Sequence, residues 1–78
     1  MMPMDEWMTR IVHDSGLCHG KAVIKGTRIM VSIILENLAD GVSREEIMDQ
    51  YPPLSSEDID VALNYAAELA RDTIIMFT

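Results

Sequence analysis

The stretch DGVSREEIMDQYPPLSSEDI, residues 40–59, decides the fold, because it holds two helix starts on either side of a proline turn. In the first, Ser43 stands three residues before Glu46. At that spacing the serine hydroxyl accepts from the glutamate N–H while the glutamate carboxylate accepts from the serine N–H. Val42 and Ile47 sit where a hydrophobic staple would close the entry. The second start repeats the device with Ser55, Asp58 and the pair Leu54 and Ile59. Pro52 and Pro53 cannot continue a helix, so the first ends near Tyr51. This is the outline of a helix-turn-helix. Its second helix, which in a DNA reader enters a groove, opens Ser55-Ser56-Glu57-Asp58-Ile59-Asp60. Acids in a first turn stabilise a helix by about 0.3–1 kcal/mol each through its exposed N–H groups and its dipole. They also oppose a nucleic acid, since a carboxylate ~10 Å from a phosphate repels it by roughly 0.4 kcal/mol before screening. Asp60 and Glu68 add to that repulsion, and on this helix Arg71 alone offsets it.

Working outward, Val31, Ile34, Leu35 and Leu38 follow helical spacing, with Ser32 as the expected N-cap and Gly41 as the residue that ends the helix. Upstream, Arg10–His13 and Ala22–Lys25 read as short strands, the first ended by the turn Asp14-Ser15-Gly16 and the second closed by Gly26. Gly20 and Gly26 are expected to supply positive φ. Two strands alone are marginal and must pack on the helices. On the third helix, Ile59, Leu63, Ala66, Ala67 and Ala70 form the expected core face, and Glu57, Asp60, Asn64, Glu68 and Arg71 a mostly acidic one. Val61, Tyr65 and Leu69 make a second apolar edge, which either widens the core contact or presents a dimer face. The chain ends Thr73-Ile74-Ile75-Met76-Phe77-Thr78, apolar and without charge. Such a tail is an aggregation hazard if exposed, so it folds back on the core, pairs across a dimer or inserts into another protein.

The 78 residues make a single domain, 1–78: an N-terminal arm and β element (1–30), a three-helix core (31–72) and the apolar tail (73–78). A chain this short buries only ~60–65% of its unfolded surface, so self-association as a homodimer would add core that one copy lacks. The net charge of −7 is unevenly spread. Through Met30 four bases face three acids (+1), and from Val31 two bases face ten acids (−8). Acidic faces keep small proteins soluble, and they also disfavour nucleic acid. One cysteine, Cys18, rules out an internal disulfide and suits a reducing cytoplasm. The start MMPMDEW lacks the basic and apolar regions of a secretory signal, and no apolar run is long enough to span a bilayer. The expectation is a cytoplasmic protein without membrane contact.

Metal and catalytic chemistry find little support. His13, Cys18 and His19 have ligand types but no repeated ligand spacing. Gly20-Lys21-Ala22 lacks the Ser/Thr and the first glycine of a phosphate loop. No carboxylate is marked to orient a histidine beside Cys18. No catalytic residue, metal or cofactor is expected.

From Arg10 to Ala67 the chain resembles the bacterial domain-of-unknown-function family 433. The residues that carry the likeness are Gly20-Lys21-Ala22-Val23-Ile24-Lys25-Gly26-Thr27-Arg28, and Gly41 and Ser43 followed by Glu45-Glu46-Ile47, Tyr51-Pro52 and Leu54. They match the hallmarks G-K-P-x-I-x-G-T-R and G-x-S-x-E-E-I-x-x-x-Y-P-x-L. Ala22 replaces the usual proline, and Ser15-Gly16 replaces an Asp-Pro turn. The resemblance implies a mainly α, homeodomain-like three-helix core preceded by a small two-stranded β element. It also implies a gene beside a PIN-like nuclease and a role as that toxin's antitoxin.

Three functions follow from these readings. A non-enzymatic antitoxin would cover a PIN-like nuclease with Glu45, Glu46, Asp49, Glu57 and Asp60, or with the tail. A DNA-binding regulator would touch DNA through Lys21, Lys25, Thr27 and Arg28 rather than through the third helix. A tight turn at Gly26-Thr27-Arg28, with Arg28 paired to a helix carboxylate such as Glu36 or Asp40, is at least as good a reading of that segment. A dimeric interaction domain would use Val61, Tyr65, Leu69, Ile74, Ile75 and Phe77.

Overall fold

The computed structural model describes residues 7–13, 16 and 20–72. A single 3-10 turn, Trp7–Arg10, leads into strand β1 (Ile11–His13), which pairs antiparallel with β2 (Ala22–Ile24) in the register Ile11 with Ile24 and His13 with Ala22. Helices α1 (Val31–Ala39), α2 (Arg44–Gln50) and α3 (Ser56–Asp72) follow. This is a mainly α domain, a three-helix core with a two-stranded sheet ahead of it, as the sequence predicts.

The turn after β2 is the tight one that Gly26 suggests. Gly26 has φ +83, a region that a side chain at Cβ strongly disfavours. The Thr27 N–H and hydroxyl both donate to the Ile24 carbonyl, at 3.0 and 2.8 Å, and the hydroxyl accepts from the Ile29 N–H at 3.0 Å. The Ile24 N–H donates in turn to the Ile29 carbonyl, and Met30 bridges to Val23. β2 is therefore paired on both edges, which explains how a three-residue strand holds its place. Val23 and Ile24 are both buried, one on each face of the strand.

α1 begins at Met30, whose backbone is extended and gives no side-chain cap. The expected cap, Ser32, lies inside the first turn instead, because the bridge of Met30 to Val23 fixes where the extended chain stops. At the other end Gly41, at φ +84, completes a Schellman motif. Its N–H donates to the Leu38 carbonyl and that of Val42 to Asn37, each at 3.0 Å. Both capping boxes form. In α2 the Ser43 hydroxyl accepts from Glu46 N–H (3.1 Å) and Glu46 accepts from Ser43 N–H (3.0 Å). In α3 the Asp58 N–H donates to the Ser55 hydroxyl (3.3 Å), and Asp58 accepts from the Ser55 N–H (2.9 Å). Tyr51 leaves the helical region before Pro52, as the residue ahead of a proline should.

Trp7, Ile24, Val31, Ile34, Ile47, Leu54, Ile59, Val61 and Ala62 form the core, with α3 touching α1, α2 and the Trp7–Arg10 turn. The expected α3 core face needs correction. Leu63 is 43% exposed and Ala67 and Ala70 are exposed, whereas Asp58, Val61 and Ala62 are buried and Tyr65 packs on the core. The buried stripe lies one residue earlier than the alanines suggest. On that side Asp58 meets both Ser55 and Arg10, beside the fully buried Ile59, Val61 and Ala62. Val61 is 0% exposed and so belongs to this chain's own core, not to a dimer face. Of that edge, Leu69 is half exposed and Tyr65 partly so. No helix among the described residues is long and apolar enough to cross a membrane.

Candidate partner-binding surfaces

Arg10 and Arg44 define what the surface can bind, since both bases are held by carboxylates of α3. Arg10, leading into β1, donates from Nη1 to Asp58 at 3.2 Å and from Nη2 to Glu57 at 3.4 Å. Asp58 is 9% exposed and accepts from the Ser55 N–H and hydroxyl as well, so its charge is fully partnered. Arg44, at the first position of α2, donates from Nη1 to the Ser56 carbonyl, the Ser56 hydroxyl and Asp60, all within 3.1 Å. Arg71 pairs with Glu68 one turn away. Cations in these places lie where they could have softened the acidic helix, yet Arg10 and Arg44 are committed to fastening it to other elements, and Arg71 to a neighbour on the helix itself.

The sequence-chosen acids therefore separate into two groups. Glu46, Glu57 and Asp60 have structural partners: a capping box, Arg10 and Arg44. The Ser43 N–H, then the Ser43 hydroxyl, holds the Glu46 carboxyl below its ordinary value of 4.5. Glu45 and Asp49 are exposed, four residues apart on α2, and make no ion pair among the described residues. With Glu36 and Asp40, which are also exposed and make no ion pair among the described residues, they carry outward negative charge of the helical body.

The sequence-chosen bases do not gather at one place. Lys21 precedes β2 and Lys25 follows it, so strand rise alone places them roughly 13 Å apart. Both are exposed, and Arg28 is exposed on the same turn as Lys25. Thr27 is a correction. Its hydroxyl donates to one backbone group and accepts from another inside the turn, so its donor is not free for a phosphate.

An apolar groove of about 280 Å³, which sequence reasoning missed, opens between the N-terminal turn and the C-terminal half of α3. Trp7, Met8 and Ile11 form one wall, Tyr65 and Leu69 the other, and Glu68 stands at the rim. The His13 ring lies 6.3 Å from that of Tyr65, tilted by 43°, at the join with a second groove of about 420 Å³ that reaches Lys21, Val31 and Leu35. Tyr65 and Leu69, named in the sequence, belong to this groove; Ile74, Ile75 and Phe77 lie outside the described residues. The missed wall carried only a weak signal, one tryptophan and one methionine ahead of a strand. Among the described residues no three His, Cys, Asp or Glu side chains are grouped to hold a metal, and Cys18 and His19 lie outside them.

A two-stranded ribbon on a three-helix core, with Arg10 and Arg44 paired to acids of α3 and an apolar groove beside them, defines a small mainly α domain. The family model for proteins of unknown function, DUF433, matches residues 11–66, and the chain belongs to that family. No curated protein and no solved structure matches it.

Proposed function

We propose that this chain is a non-enzymatic binding domain whose partner is a protein, and that it acts as an antitoxin by covering a PIN-like nuclease. The nuclease comes from the family resemblance; the preference for a protein partner rests on charge. One observation carries it: Arg10 and Arg44, the bases nearest the start of α3, are bound by Glu57, Asp58 and Asp60. The helix that a groove reader would present is thus left without free cations over its first turns, while Glu45 and Asp49 extend the negative surface along α2. Such a surface complements the basic channel that a nuclease needs for its own substrate, and opposite charges speed encounter and set register. Co-expression with the product of the neighbouring reading frame tests the reading. The two proteins should co-purify and the nuclease should be silent; an active nuclease recovered alone refutes it.

A second reading, DNA binding through the β element, is favoured by one feature, the exposed Lys25 and Arg28 on a single rigid turn. Phosphate contacts there would make affinity fall steeply with salt. In a mobility-shift assay, Lys25→Glu with Arg28→Glu should then abolish binding, and unchanged affinity ends that version.

A further inference from the structure

We propose that two copies of this chain pair through the outer edge of β1, strand against strand, so that one sheet runs across both. The hydrogen-bond parity of the ribbon leads there. The Lys25 N–H donates to the Arg10 carbonyl at 2.7 Å, so these two residues face each other as a bonded pair. Bonded and unbonded pairs alternate along an antiparallel ladder. In the register of β1 and β2, Val12 is therefore bonded to Val23, while Ile11 and His13 are not bonded to Ile24 and Ala22. The Ile24 N–H agrees with this parity, since it donates to Ile29 on the far side of β2. The N–H and C=O groups of Ile11 and His13 thus point away from β2. Among the described residues β2 has a neighbour on each side, Val12 and Met30, whereas β1 has one on a single side.

Proteins blunt an open edge with lysine, proline, inward charge or a bulge, because it pairs with whatever strand it meets. Ile11-Val12-His13 contains no lysine, carboxylate or proline. The occupant that fits is the same strand in a second copy. About a two-fold axis at Val12, Ile11 lies opposite His13 of the partner subunit, and each such pair exchanges two hydrogen bonds. Every outward donor of β1 then meets an outward acceptor. Charge favours the same end of the molecule. Residues through Met30 carry +1 and the rest −8, so copies that meet at β1 join their least acidic parts. A contact through α2 would instead set carboxylate against carboxylate. The face of β1 that holds Ile11 and His13 also lines the apolar groove, and the added strand extends that face. The pairing moves the dimer contact expected at Val61, Tyr65 and Leu69 from α3 to the sheet, and it is independent of the proposed nuclease.

Sedimentation of the full chain tests it and should show dimers at tens of micromolar. His13→Pro deletes an N–H that the edge needs and the ribbon does not. It should weaken dimerisation at least ~10-fold, because a two-fold contact loses that bond twice. His13→Ala keeps the N–H and should dimerise as the parent does. For position, Val12→Cys in a Cys18→Ala background sets two thiols opposite each other in an unbonded pair. Their Cα atoms are then roughly 4.5 Å apart, within disulfide reach. Mild oxidation should link this variant into dimers at least ~10-fold faster than Asp49→Cys on α2, because its thiols are held together and do not meet by chance. A parent chain that sediments as a monomer would overturn the proposal. So would a dimer that Val12→Cys links no faster than the control, or one that His13→Ala weakens as much as His13→Pro. Cooperative thermal unfolding near that of the parent shows that each variant is folded; if His13→Pro is not, the parent's mass and the Val12→Cys rate decide.

Discussion

α2 and α3 begin with the same device, and the two copies are not equivalent. Ser43 and Glu46 close their box at the surface, where both residues are exposed and, among the described residues, no side chain from another element joins. Ser55 and Asp58 close theirs at the edge of the core, with Asp58 buried and Arg10, 48 residues away in sequence, donating to it. One box begins a helix. The other begins a helix and also fastens the N-terminal segment to it. A local pattern of four residues can thus carry either a local or a tertiary role, and burial decides which.

The largest effect should come from breaking the buried box. Asp58→Ala removes the α3 cap and leaves Arg10 without its main partner. We expect a loss of about 2–3 kcal/mol in urea unfolding, below the figure for a fully buried ion pair because Arg10 is partly solvated. Asp58→Asn keeps a cap acceptor and should cost less, isolating the contribution of Arg10. Next come the serines. Ser43→Ala should cost about 1 kcal/mol, the usual value for an N-cap, and Ser55→Ala somewhat more, because its hydroxyl also donates to the buried carboxylate. Equal losses would show the two boxes to be energetically alike and remove the distinction drawn here.

The smallest effect is in acid. The hydrogen bonds from Ser43 depress the Glu46 pKa on folding, so Glu46 contributes stability that is fully present above 4.5 and is lost as pH falls through the lower folded value. Glu46→Gln should flatten this part of the stability–pH curve below pH 4.5 and leave it unchanged at neutral pH apart from a constant offset. A pH slope identical to the parent's would contradict the assignment.

Both helix starts were legible because a cap is written within four residues. So was Gly41, whose φ of +84 completes the Schellman motif after α1. The rotation of α3 was not, since Ala66, Ala67 and Ala70 look apolar at helical spacing but are too small to decide which face is buried. The Arg10 to Asp58 contact on the buried side joins residues with no spacing relation in the sequence. Thr27 shows the opposite failure. Set beside Lys25 and Arg28 it reads as a phosphate ligand, while its hydroxyl is used to lock the turn that Gly26 makes. The groove was hidden for a related reason, as its walls come from opposite ends of the described chain.

The claim that the outward surface is suited to proteins is tested most directly by reversing the two exposed charges of α2 that make no ion pair among the described residues. With Glu45→Lys and Asp49→Lys together, the folded chain should lose at least ~10-fold in affinity for the neighbouring nuclease by calorimetry, a loss of ~1.4 kcal/mol that long-range charge complementarity can supply. It should still elute as a folded protein. Undiminished binding to the nuclease by the charge-reversed chain would contradict the account.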